Sequence, residues 1–139
     1  MKKVVFSLLF VITTALLAAP KVICIGRNAS AIDELAVEEL CRHLQQITGK
    51  EYPVVNESAV AEDERCIFVG LSALAKSRLG DAHHLSKIHE QGSVVQIYQE
   101  DLYLYGSGRH GNLYAVYEFL ENKLGCRWLT GYDDVYIPK

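Results

Sequence analysis

The sequence predicts an α+β domain: a single mixed, largely antiparallel β-sheet with two main helices packed on one face. Three observations carry this. Two segments, 30–48 and 111–124, repeat apolar residues at helical spacing. Around them lie short β-branched or aromatic runs such as "VICI" and "CIFV". The run "VVQIYQEDLYLY" turns back on itself at Gln99-Glu100-Asp101, as a β-hairpin does.

Residues 1–19 stand apart from that domain, which spans 20–139. Lys2 and Lys3 precede an almost unbroken apolar run, Val4 to Leu17, and Ala18-Ala19 are small enough for cleavage. A membrane span needs about 20 apolar residues. The shorter run therefore reads as a secretory signal peptide, with the mature chain secreted or periplasmic and off the membrane. An uncleaved N-terminal anchor is the alternative.

"KVICIG" (Lys21 to Gly26) is short, β-branched and closed by glycine, so it is a strand. Ser30 caps the helix that follows, with Asp33 as a capping-box partner. Ile32, Leu35, Ala36, Leu40, Cys41, Leu44 and Ile47 form its apolar stripe, and Gly49 ends it. In "YPVVN" Pro53 marks an edge strand or a strand start. "ESAVAEDER" is a loop. "CIFVG" is too uniformly apolar to alternate, so it is a strand buried on both faces. "LSALAKSRLG" allows a short helix ending at Gly80, and the next dozen residues carry no resolvable period. In the hairpin's second arm Leu102 and Leu104 point one way, Tyr103 and Tyr105 the other. Leu113, Val116, Tyr117, Leu120 and Leu124 make the second helical stripe, stopped by Gly125, and "CRWL" is a last short strand.

Half of the 139 residues are hydrophobic and 22% are charged, which suits one domain with a real core. A net charge of −3 supplies no footprint for nucleic acid or an anionic membrane. Export permits disulfides, and the four cysteines allow three pairings. Cys24, Cys41 and Cys66 nevertheless sit in apolar strands or on a helix stripe, where cysteine acts as a small hydrophobe; Cys126 follows the second helix. There is no C-x-x-C to suggest zinc or thioredoxin-like chemistry.

Gly106-Ser107-Gly108-Arg109-His110-Gly111 has the G-x-G-x-x-G form of a dinucleotide-binding turn. Its context argues against a nucleotide cofactor. The strand before it alternates Leu and Tyr, as half-buried antiparallel strands do. The acid expected about 20 residues on, Asp133 or Asp134, leaves almost no chain for the second half of a Rossmann sheet. Gly106 and Gly108 then serve a sharp turn, and Gly111 lets the helix lie close to the sheet.

These residues also carry a family likeness. "ELCRHLQQITGKEYPVV", "CIFVG" and "LYLYGSGRHGNLYAVYEFLENKLGCRWL" resemble the N-terminal, non-catalytic domain of α-glucuronidases and related bacterial glycoside hydrolases. The small N-terminal domain of β-N-acetylhexosaminidases is a more distant relative. The likeness covers roughly 21–139 and is most specific in its last motif. His110 is a departure, standing between Arg109 and Gly111 where the family more often has Arg directly before Gly. The resemblance implies helices on one face of a sheet, and catalytic carboxylates in a (β/α)8 barrel that follows the domain. The chain ends at "YIPK", where the family domain hands over to that barrel, so it looks like a detached accessory domain, a truncated gene product or a fragment lacking its catalytic barrel, whose partner is a barrel in a longer chain or a separate protein. A stand-alone carbohydrate-binding module is the alternative, and an enzyme in its own right a third.

No catalytic, cofactor or metal residue is assigned. Glu34 and Glu38, and Glu118 and Glu121, are carboxylate pairs at helical spacing that suit solvated faces. His83, His84 and His89 lack a metal-binding pattern, since H-E-x-x-H is absent. Asn28-Ala29-Ser30 and Asn56-Glu57-Ser58 are formal glycosylation sequons. The candidate interface is Tyr98, Tyr103, Tyr105 and Arg109. If both helices cover the leucine side, the tyrosine side lacks a cover and can dock on a barrel or stack on a sugar.

Overall fold

The computed structural model describes residues 20–90, 92–128 and 135–138. Residues 1–19, expected to be a signal peptide, and Asp133 and Asp134 lie outside them. The described chain is α+β, with a five-stranded mixed sheet and three helices. β1 (Val22–Ile25) leads to α1 (Ala31–Thr48) and β2 (Val54–Asn56). β3 (Cys66–Val69) leads to α2 (Ala73–Leu79) and to 3-10 turns at Gly80–Ala82 and Leu85–Lys87. The hairpin β4 (Ser93–Tyr98) and β5 (Asp101–Gly106) precedes α3 (Gly111–Glu118), which a π turn extends over Phe119–Lys123. β6 (Arg127–Trp128) and β7 (Val135–Tyr136) form a separate antiparallel ribbon.

The sheet order is β2-β1-β3-β5-β4. β1 pairs in parallel with β2 and β3, and β3 with β5; β4–β5 is the antiparallel pair. The sheet is thus mixed but mainly parallel, which corrects the largely antiparallel expectation. A hairpin is a local signal, whereas β1 finds β3 across a long stretch of chain, with Val22 opposite Cys66.

α1 begins and ends as its sequence dictates. The Ser30 side chain accepts from the Asp33 N–H, and the Asp33 side chain accepts in return from the Ser30 N–H. Gly49 closes the helix at φ 71°, its N–H bonded to the Gln45 carbonyl. Ala36, Val37, Leu40 and Leu44 enter the core, while Leu35, expected on the stripe, is 43% exposed. Ala115, Val116 and Leu120 join them from α3 and its π turn, over Ile23, Ile67, Leu102 and Leu104. Both main helices therefore cover the leucine side.

The tyrosine side is covered as well. Ala75 and Leu79 of α2, with Ala82 and Ile88 behind them, pack on Cys24, Phe68, Tyr103 and Tyr105. Residues 101–105 of β5 are all buried. The Leu/Tyr alternation thus separates two buried faces of different chemistry, not an inside from an outside. Cys24, Cys66 and Cys126 are buried, Cys41 half-buried, and all four are free thiols. Burial pushes Cys24 up to about 12 and Cys66 up to about 11, far from a reactive thiolate. No helix among the described residues is long and apolar enough to cross a membrane.

Candidate functional site

Neighbouring parallel strands β1 and β3 end on the same side of the sheet. From β1 the chain crosses the leucine side through α1 and moves outward to β2. From β3 it crosses the tyrosine side through α2 and moves the other way, to the edge strand β4, whose hairpin returns to β5 beside β3. The two connections part at the carboxyl ends of β1 and β3. That topological switch point is where open sheets with parallel strands place their ligand crevices. A cleft of about 300 Å³ lies there.

Its walls are built by hydrogen bonds between distant elements. Asp33 Oδ2 accepts from the Ser30 N–H and hydroxyl, each at 2.9 Å. Asp33 Oδ1 accepts from Asn112 Nδ2 at 2.8 Å, and Asn112 Oδ1 accepts from the Gly106 N–H at 3.1 Å. The first turns of α1 and α3 are thereby tied to the end of β5. Gly70 makes room for this: its φ is +87°, and a Cβ on it would lie 2.8 Å from Asn112 Nδ2. On the other wall Glu57 Oε2 accepts from the Leu74 N–H at 2.9 Å and Oε1 from the Arg27 N–H at 3.3 Å. The Leu74 N–H holds Glu57 below the ordinary carboxylate range, aided by the Arg27 N–H and the Ser72 hydroxyl against the opposing effect of partial burial.

Arg27 and Asn28 line the same cleft from the loop after β1 and are exposed. Among the described residues their side chains make no hydrogen bond or ion pair. Sequence reading missed this site. The visible signal was that two buried strands each end in glycine followed by a polar loop, "IGRN" and "VGLS".

The expected interface does not assemble. Tyr103 and Tyr105 are each 1% exposed. Tyr103 stacks on Phe68 with ring centroids 4.9 Å apart. The Tyr105 hydroxyl accepts from the His84 N–H at 2.9 Å and donates to Gln96 Oε1 at 2.8 Å, so its polar end is satisfied inside. Tyr98 is half-buried against the same cluster. The uncovered tyrosine face is therefore corrected to an interior one, and these tyrosines offer neither a barrel nor a sugar an open surface. Arg109 is exposed on the turn before α3, outside the cleft lining.

In the glycine turn, backbone meets backbone. A Cβ on Gly111 would lie 2.4 Å from the Gly106 carbonyl carbon, and one on Gly106 would lie 2.4 Å from the Gly92 oxygen. Gly108 takes φ +70°. The Gly106 N–H is held by Asn112, and the Ser107 N–H donates to the Gly92 carbonyl at 3.0 Å. These glycines close a turn against the sheet, and the N–H groups of Gly106 and Ser107 are engaged internally.

Glu34, Glu38 and Glu121 are exposed, and Glu118 accepts from the Ser93 hydroxyl at 2.6 Å. His83, His84 and His89 lie on the segment that covers the tyrosines. Among the described residues no three His, Cys, Asp or Glu side chains converge as metal ligands. Asn56, in the second sequon, accepts from the Ser58 N–H and hydroxyl. In comparisons with known proteins, no family model and no curated protein matches the chain.

Proposed function

We propose that the chain is an exported accessory domain, non-catalytic in itself, that packs beside the (β/α)8 barrel of a glycoside hydrolase and serves carbohydrate breakdown. The sequence support is the likeness of "LYAVYEFLENKLGCRW" and its preceding turn to the N-terminal domains of α-glucuronidases. The structural observation that carries the reading is the state of the cleft carboxylates. A hydrolysing pair needs one carboxyl that keeps its proton at working pH. Asp33 and Glu57 are instead engaged by backbone N–H groups as acceptors at helix starts, and Glu57 is biased towards ionisation. With the tyrosines inside, contact with a barrel falls to exposed side chains such as Arg109.

Two measurements on the full chain test this. Aryl glycosides, including a 4-nitrophenyl glucuronide, are expected to show no turnover above background. Sedimentation with an α-glucuronidase barrel lacking its own N-terminal domain is expected to show a complex that Arg109→Glu weakens. Turnover abolished by Glu57→Gln or Asp33→Asn would overturn the non-catalytic reading, and absence of any complex would overturn the docking.

A further inference from the structure

The switch-point cleft has features that helix capping does not require. Capping accounts for Ser30, Asp33 and Glu57. It does not account for Arg27 and Asn28, which border the same space with side chains that hydrogen-bond to no described residue. Ligand pockets span about 300–1,000 Å³, so this cleft, at about 300 Å³, suits a ligand of one small ring.

The polar groups define the ligand's chemistry. Arg27 and the Asn28 amide donate. The Asp33 and Glu57 carboxylates accept, with about four lone-pair directions each, not all of them used by internal bonds. Two negative carboxylates and one guanidinium line the cleft, and the N-terminal end of α1 adds about half a positive charge. The sum is close to neutral, so the cleft has little to offer a phosphate, a carboxylate or a metal cation. Donors and acceptors together, with little net charge, match a neutral polyol. The walls are also preorganised: Asp33 is held by Ser30 and Asn112, and Glu57 by the Leu74 and Arg27 N–H groups, so binding orders few groups.

We infer that the cleft between the carboxyl ends of β1 and β3 is a binding site for a neutral sugar of monosaccharide size, with Arg27 and Asn28 as its donors and Asp33 and Glu57 as its acceptors. The inference rests on the carbohydrate-related reading above for its choice of probes; the site itself rests on topology and side-chain chemistry.

The test is a titration of the 15N-labelled full chain with D-glucose, D-xylose, D-glucuronate and inorganic phosphate, followed by amide chemical shifts. The expected result is saturable shifts at residues 26–28 and 70–72 with at least one neutral sugar, and weaker binding of glucuronate and phosphate. Arg27→Ala and Asn28→Ala remove exposed side chains, so each is expected to keep the wild-type spectrum elsewhere and weaken sugar binding at least tenfold. Absence of saturable shifts in the cleft with both neutral sugars would overturn the site. Tighter binding of either anion would overturn the ligand class, and unchanged affinity in both variants would overturn the residue assignment. Barrel association is read separately by sedimentation, so either proposal can fail without the other.

Discussion

At the amino-terminal ends of β3 and β5, both terminal nitrogens of Arg78 are engaged. Its Nη1 donates to Asp101 Oδ2 at 3.0 Å and to the Glu64 carbonyl at 2.9 Å, and its Nη2 donates to the carbonyls of Ala61 and Glu62 at 3.1 and 3.3 Å. Its guanidinium carbon lies 5.5 Å from the Phe68 ring centroid, and Asp101 Oδ1 accepts from the Cys66 N–H at 2.8 Å. At the carboxyl-terminal ends of β1 and β3, Arg27 also stands near a carboxylate, yet its guanidinium is exposed and bonds to no described residue. Both ends gather an arginine, carboxylates and loop backbone. At one the arginine is engaged and clamps the 61–65 loop to the sheet, beside a cleft of about 250 Å³ that Arg78 and Asp101 help to line. The other is braced by its carboxylates and leaves donors facing an open cleft. An arginine bonded to the backbone and a carboxylate serves the fold, while one without hydrogen bonds keeps donors available to a ligand.

The clamped end should respond most to mutation. Arg78 and Asp101 side chains are 18% and 6% exposed, so Asp101→Ala leaves a mostly buried cation without its partner. Urea unfolding is expected to show a loss of roughly 3 kcal/mol. A loss below about 1 kcal/mol would make the clamp an ordinary surface pair. At the open end, Gly70→Ala forces a side chain into φ +87° and against Asn112. The expected cost is about 2 kcal/mol, with amide shift changes centred on Asn112 and Asp33.

Much of the fold was legible from local patterns. Ser30, Asp33 and Gly49 bound α1 through contacts a few residues apart, and the glycines of 106–111 announced their turn. The parallel pairings were hidden because they join segments far apart in the chain. The Leu102–Tyr105 alternation misled because period two reports two different faces, not which of them is dry. The cover over Tyr103 and Tyr105 went unseen because Ala82 and Ile88 are scattered apolar residues on 3-10 turns and loops with no periodicity. The cleft was illegible for a similar reason: Asp33 and Asn112 are 79 residues apart when they meet.

Glu57 separates bracing from binding through pH. Its folded value is depressed, so its contribution is present above the ordinary carboxylate pKa and is lost as pH falls through the lower folded value. Glu57→Gln is expected to cost about 1 kcal/mol at neutral pH. The gap from wild type should close as melts are carried to acid, and a pH-independent gap would contradict the bracing role. The smallest effect belongs to the hairpin turn, where Gln99 and Glu100 hold φ of 47° and 73° without a glycine or asparagine. Arg65 steadies this turn by donating to the Gln99 carbonyl and pairing with Glu100. Gln99→Asn should raise stability by about 0.5 kcal/mol in thermal melts, and a loss would mean that the turn is not strained.

The contrast between the two ends is tested most directly by thermal unfolding of the wild type and of an Arg27→Ala/Asn28→Ala double variant, with and without saturating D-glucose. Sugars stabilise folded proteins non-specifically by exclusion from their surface, and the variant measures that background. The expected result is equal melting temperatures without sugar, and a larger sugar-induced rise for the wild type. Equal rises in both proteins, or a double variant already destabilised without sugar, would show that these side chains belong to the fold and not to a binding site.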